Sequence, residues 1–301
     1  MVYFVSLVSF GQVKDTDSLP DLHRPMYAMQ LNIPDPYEAY INDILVEKNN
    51  ETAMHNTLIN CNQAVSKSGK YNFKIKVFPE PEEAKKGGIQ PETLQFLKVG
   101  LSRYEKIPEG EGAMSDTYEM LQSYPIVKIS SPVPFYLVEG EFSVDLPYNL
   151  EGWSKGRDLK KVDKDVLQEK VIAYYEMVWH LLNNGEGEKY LALWKTADTE
   201  TATFNYSKAY YFSAINSKAA QEIKERKGKM APLEDYAMQI YGHGKIVTLE
   251  RISHTKEMNG KPFDIQGKSP LIRNGKARGI SIYPIKLYWP KGSDDLVIIR
   301  K

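Results

Sequence analysis

Residues 165–194, DVLQEKVIAYYEMVWHLLNNGEGEKYLALW, decide how the second half of this 301-residue chain is read. Leu167, Val171, Tyr174, Val178, Leu181 and Leu182 recur at steps of three and four, the period of one α-helical face. Ile172, Tyr175 and Trp179 add a second stripe beside the first, so the helix is expected to be buried on more than one side. Asp165 with Gln168 fits a capping box, and Asp163 is the rival N-cap. Asn183, Asn184 and Gly185 supply the stop, because Asn and Gly tolerate the left-handed backbone of a helix C-terminus. A second apolar run, Tyr190, Leu191, Leu193 and Trp194, is too short to stand alone as a helix and must dock on the first.

Working outward, the length suggests two domains. Lys+Arg and Asp+Glu both number 39, so there is no basic excess of the kind that favours nucleic acid or an anionic membrane surface. The 20 tyrosines, twice the phenylalanines, suit amphipathic grooves or β-structure. A single cysteine, Cys61, excludes an internal disulfide and a multi-cysteine zinc site, and its place in an expected strand makes it a buried, inert thiol. No stretch is long enough to span a bilayer as a helix. Residues 2–10, VYFVSLVSF, are apolar, with small residues before the polar Gln12-Val13-Lys14-Asp15, which fits the end of a secretory signal peptide lacking its basic start. The alternative is an edge strand. Residues 1–11 are therefore assigned to a truncated signal peptide and 12–25, with Pro20 and Pro25, to a linker.

The next stretch is expected to be strands: 26–33, 40–47, 55–65 and 70–78. The last alternates most clearly, with Tyr71, Phe73, Ile75 and Val77 on one face and Lys70, Asn72, Lys74 and Lys76 on the other. The charged segment 79–88 reads as a loop whose Glu80, Glu82 and Glu83 are solvated. Asp116 and Glu119 could cap a short helix ending at Ser123. Strands at 126–129 and 135–144 complete a β-sandwich over residues 26–159, with Trp153 plugging its end. The turn-rich segment 146–159 leaves this domain through a charged hinge.

Residues 160–301 read as an α+β domain. After the helix hairpin comes a segment with no clear period at 199–213, then a charged helix at 218–227 capped by Asn216 or Ser217, and a helical turn at 233–240. Strands follow at 245–252, 280–289 and 296–299, with an Asn274-Gly275 hairpin turn. The apolar parity slips at Pro284, which predicts a β-bulge. Helices first and antiparallel strands after resembles the NTF2-like or cystatin-like α+β arrangement, over roughly residues 163–301. The resemblance rests on element order and on no motif. It implies a curved sheet around the helices with an internal pocket, and it transfers no catalytic residue.

No phosphate loop, dinucleotide fingerprint, nucleophile elbow or HExxH is present. None of the five histidines lies three or four residues from another, so no helical metal pair is expected, and no metal or cofactor is assigned. His180, late in the long helix, is placed to meet C-terminal carbonyls or to act as an acid or base, and His243, between Gly242 and Gly244, is displayed on a turn. Tyr175, Trp179, His180, Trp194 and His243 form the candidate ligand-binding set, against the simpler reading of the aromatics as core. The leading expectation is an exported, periplasmic or secreted two-domain protein that binds a small molecule, glycan or protein without catalysis. The alternatives are an enzyme using the C-terminal pocket, and an intracellular immunity or interaction protein.

Overall fold

The computed structural model describes residues 23–107, 117–207, 209–258, 260–275 and 279–300. The expected leader, most of the linker after it, and Asp116 lie outside the described residues. The chain is a mixed α+β structure whose sheets are antiparallel throughout.

The first half runs β1 (Pro25–Ile33), β2 (Tyr37–Ile41), β3 (Ile44–Asn49), β4 (His55–Asn60), β5 (Gly69–Val77), a short α1 (Pro81–Lys85), β6 (Lys98–Glu105), β7 (Glu119–Tyr124) and β8 (Tyr136–Val144). These strands form two four-stranded sheets, ordered β4-β1-β6-β7 and β3-β2-β5-β8. The alternation in β5 is used as its sequence demands: Phe73, Ile75 and Val77 are buried and register with Gly140, Val138 and Tyr136 of β8. Gly140 is glycine for a steric reason. A Cβ there would sit 2.6 Å from the Phe73 ring and 2.9 Å from the Tyr124 ring. Without it, the two rings meet edge-on with centroids 4.5 Å apart, joining a strand of each sheet. Both sheets contribute to one apolar core, from Met29, Leu31 and Leu101 on the first to Ile41, Ile75 and Phe142 on the second.

The segment expected as one strand at 40–47 folds back on itself. Asn42 and Asp43 take φ of 53° and 59°, the left-handed pair of a two-residue hairpin turn, so β2 and β3 are neighbours. The short helix expected before Ser123 is instead the edge strand β7, because pairing with β6 outweighs the local capping pattern. Residues 126–129 form no strand.

The second half opens with α2 (Lys164–Asn183). Asp163, not Asp165, is its N-cap: Oδ1 accepts from the backbone N–H of Asp165 and Val166 at 3.0 and 3.1 Å. Leu167, Val171, Tyr175, Val178 and Leu182 are its buried stripe. α3 (Gly187–Ala192), α4 (Lys195–Phe204) and α5 (Ala209–Glu225) follow. α5 is already under way at Asn216 and Ser217, so neither caps a helix. The remaining strands are β9 (Tyr236–Tyr241), β10 (Ile246–Arg251), β11 (Thr255–Met258), β12 (Lys261–Asp264), β13 (Ile272–Asn274), β14 (Ile280–Ile282), β15 (Leu287–Tyr288) and β16 (Val297–Ile298). The helical turn expected at 233–240 is instead mostly β9, whose Tyr236, Met238 and Ile240 alternate onto the core. A third sheet, β16-β15-β10-β9, is joined by the hairpins β11-β12 and β13-β14. The parity slip at Pro284 is a change of sheet and not a bulge: Ile282 pairs with β13, whereas Leu287 pairs with β10.

α2 lies on the third sheet, and its stripe joins Val247, Leu249, Ile285 and Leu287 in a second core. The halves share side chains as well. Ile246 and Ile299 belong to the first core, as does Trp153 in the connecting segment. That segment is pinned by Arg157 N–H donating to Trp289 O at 2.8 Å, while its lysines and aspartates stay largely at the surface.

Candidate functional site

The five candidate residues are not gathered around one space. Tyr175 is fully buried, and its hydroxyl donates to Ile285 O at 2.8 Å, accepts from Leu249 N at 3.0 Å and lies 2.9 Å from Thr248 Oγ1. That hydroxyl ties α2 to the sheet, and burial pushes its ionisation far above the ordinary tyrosine range. Trp179, expected to be buried, is partly exposed; its indole N–H donates to Ala231 O at 2.7 Å and its ring meets His180 edge-on at 5.2 Å. His180 itself is exposed. Trp194 is buried in the second core, 6.2 Å from the Tyr190 ring. His243 stands elsewhere, with φ 53° and its side chain 58% exposed; its backbone N–H donates to Asp43 Oδ2 at 2.8 Å.

Several titratable groups with shifted behaviour sit where the halves meet. Tyr40 Oη donates to Glu38 Oε2 at 2.7 Å, Glu38 pairs with Lys48 at 3.0 Å, and Tyr241 Oη donates to Glu250 Oε1 at 2.9 Å. The two tyrosine rings are 6.4 Å apart. Lys286 Nζ donates to Leu45 O at 2.7 Å. Burial pulls the Lys286 ammonium down to about 8, opposed by Glu250, and burial also raises Glu250. A lysine so tuned can serve as a base or nucleophile when it faces a cleft. Here the ammonium is engaged by a backbone carbonyl of the opposite half, which suits a joint.

A second joint is built on Arg300, whose side chain is 0% exposed. Its Nη1 meets Glu200 Oε2 at 3.1 Å, Nε donates to Gln63 O at 3.1 Å and Nη2 to Val65 O at 2.7 Å. The guanidinium lies 4.1 Å from the centroid of the Trp153 ring. Burial lowers its pKa and Glu200 opposes the shift.

Two open depressions stand out. One, about 610 Å³, lies between α3 and α5 and is lined by charged and polar residues such as Glu186, Lys189 and Lys224. The other, about 580 Å³, lies on the first sheet and is lined by Gln30, Leu31, Asn56, Thr57, Leu58 and Tyr118. Register places Gln30 opposite Leu58 and Asn32 opposite Asn56, on the face turned away from the core. Tyr118 Oη donates to Gln30 Oε1 at 2.7 Å. None of the five candidates lines either depression. The signal for the second lay in Leu58-Ile59: adjacent apolar residues in a strand point to opposite faces, so one of them must face outward. Among the described residues, no group of three or more His, Cys, Asp or Glu side chains is placed to hold a metal, and no helix is long and apolar enough to cross a membrane. No protein-family model, curated protein or solved structure matches the chain.

Proposed function

We propose that the chain is a non-catalytic binding protein whose ligand, a neutral polar molecule such as a glycan, sits on the outer face of the first sheet. The observation that carries this reading is the lining of that groove: two amides, a threonine, two leucines and one tyrosine, with no carboxylate, imidazole, amine or thiol among the described residues. Amides supply paired donors and acceptors, and an exposed aromatic edge supplies apolar contact, without any charge to select an ionic ligand. The groups at the junction of the halves whose acidity is altered, Lys286 and Glu250, are engaged there in hydrogen bonds that suit a structural joint.

This reading carries the rest of the sequence expectation with it. The shared core of the two four-stranded sheets supports a β-sandwich over residues 26–159, and α2 on an antiparallel sheet supports an NTF2-like arrangement over 160–301. The apolar start and polar turn at Gln12 support export to the periplasm or beyond. The test is a screen of neutral oligosaccharides by backbone amide shift changes, with Leu58→Ser and Tyr118→Ala as controls. The expected result is a response confined to β1, β4 and Tyr118 and lost in both variants. A response centred on His180 and Trp194 would move the site to the second half.

A further inference from the structure

Asp35 lies in the Pro34-Asp35-Pro36 turn that carries the chain from β1 in the first sheet to β2 in the second, and it is only 3% exposed. Glu83, on α1, is 6% exposed. It is not the solvated loop residue its sequence context suggests, because α1 turns its side chain inward while Glu82 stays out. Each acid keeps one buried carboxyl oxygen with no hydrogen-bond partner, Oδ2 of Asp35 and Oε2 of Glu83. Among the described residues the ion pairs engage other acids, so neither carboxylate has a lysine, arginine or histidine.

Such an arrangement is costly as it stands. A buried charge is tolerated when it is paired or bound to a metal ion. Glu83 stands near enough to act on Asp35: after burial, Glu83 and then Glu80 are what push the Asp35 carboxyl up to about 7. Yet Glu83 is held in a fixed orientation. Its Oε1 accepts from Thr93 Oγ1 and, at 3.3 Å, from Gln90 N. Holding one oxygen from behind so that the other is presented is what groups behind a metal ligand do.

We propose that Asp35 and Glu83 are the anionic ligands of a hard cation of the calcium class, bound between the β1–β2 turn and α1. The chemistry selects the class. Both acids offer only oxygen, and two side chains fall short of the nitrogen- and sulfur-rich tetrahedral cage that zinc prefers. Calcium takes roughly six to eight oxygen ligands and accepts backbone carbonyls and water for those the side chains do not supply. A cation there would bind the turn between the two sheets to the helix that follows β5, cross-linking the first half.

The test is thermal unfolding of the full chain at about pH 8, after chelation and then with calcium, magnesium or sodium added back. Saturating calcium is expected to raise the midpoint by ~5 °C or more. Asp35→Asn and Glu83→Gln should each abolish that rise, and in chelator each should be at least as stable as the parent, because the repulsion is gone. Glu82→Gln, in the same helix but exposed, should keep it. Terbium emission sensitised by nearby tyrosine, displaced by calcium in the unaltered chain, gives a readout that does not depend on any variant folding. The proposal is overturned if none of the three cations moves the midpoint, or if the rise survives in both carboxylate variants. It is equally overturned if stability falls between about pH 4 and pH 7 to the same extent with and without calcium, since the pair would then share a proton.

Discussion

Replacing Arg300 by methionine deletes a guanidinium that four groups depend on, while keeping a flexible apolar side chain over Trp153. Glu200, only 14% exposed, loses its partner at 3.1 Å. The carbonyls of Gln63 and Val65 lose donors at 3.1 and 2.7 Å. Removing one member of a buried ion pair costs about 3–5 kcal/mol, and each lost charge-assisted hydrogen bond about 1.5–3 kcal/mol. These losses overlap, and water can reach part of the exposed edge of Glu200, so the expected total is about 4 kcal/mol. Against a typical stability of about 5–15 kcal/mol that is a large fraction. Urea unfolding should show a lower midpoint with an unchanged slope. The double variant Arg300→Met with Glu200→Gln should recover about 2 kcal/mol, because the uncompensated carboxylate is gone. A cost below about 1 kcal/mol for Arg300→Met would refute the idea that this guanidinium clasps the halves through Gln63 and Val65, and no recovery in the double variant would refute its buried pairing with Glu200.

Three further outcomes are expected. Trp179→Ala should cost about 2 kcal/mol in urea unfolding, below the range for a fully packed tryptophan, because its ring is partly exposed and one indole hydrogen bond is lost. Cys61 is fully buried, its thiol pushed up by desolvation, so a thiol reagent should react only as fast as the chain unfolds; rapid labelling of the native protein would contradict this. Lys286 titrates near about 8 in the folded chain and near 10.5 when unfolded. Between those values the unfolded chain binds more protons, so stability should rise from about pH 8 to about pH 9.5, below the range where tyrosines ionise, and Lys286→Met should flatten the rise.

The parts of the fold that could be read in advance are those where one period dominates. The alternation of Tyr71 to Val77 gives β5 within a residue, and the spacing from Leu167 to Leu182 gives α2. Short segments misled where a local pattern competed with a tertiary partner. Glu119 at a capping distance from Asp116 resembles a helix start, yet β6 offers a strand to pair with. Leu233 to Ile240 holds enough apolar residues for a helical turn, but β10 takes it as β9. The aromatic candidates were legible as apolar and illegible as lining, because sequence spacing shows which face of α2 is buried but not what it is buried against. Asp35 and Glu83 escaped for the same reason. Asp35 reads as a turn residue between two prolines and Glu83 as one more acid of a charged loop, and their nearness depends on how the β1–β2 turn falls against α1.

The clasp formed by the last described residues has a consequence for how the chain is made. Ile299 completes the first core, and Arg300 holds carbonyls 237 and 235 positions earlier in the chain. At a synthesis rate of about 5–20 residues per second, the ribosome takes roughly 10–50 s to travel that distance. Throughout that interval the nascent first half carries a gap where Ile299 belongs and lacks the donors that later satisfy Gln63 and Val65. Its assembly therefore cannot be finished in the order of translation. A chain halted before residue 299 would leave an incompletely closed core, the kind of surface that chaperones and proteases recognise, and closure would depend on the arrival of the C-terminal strand.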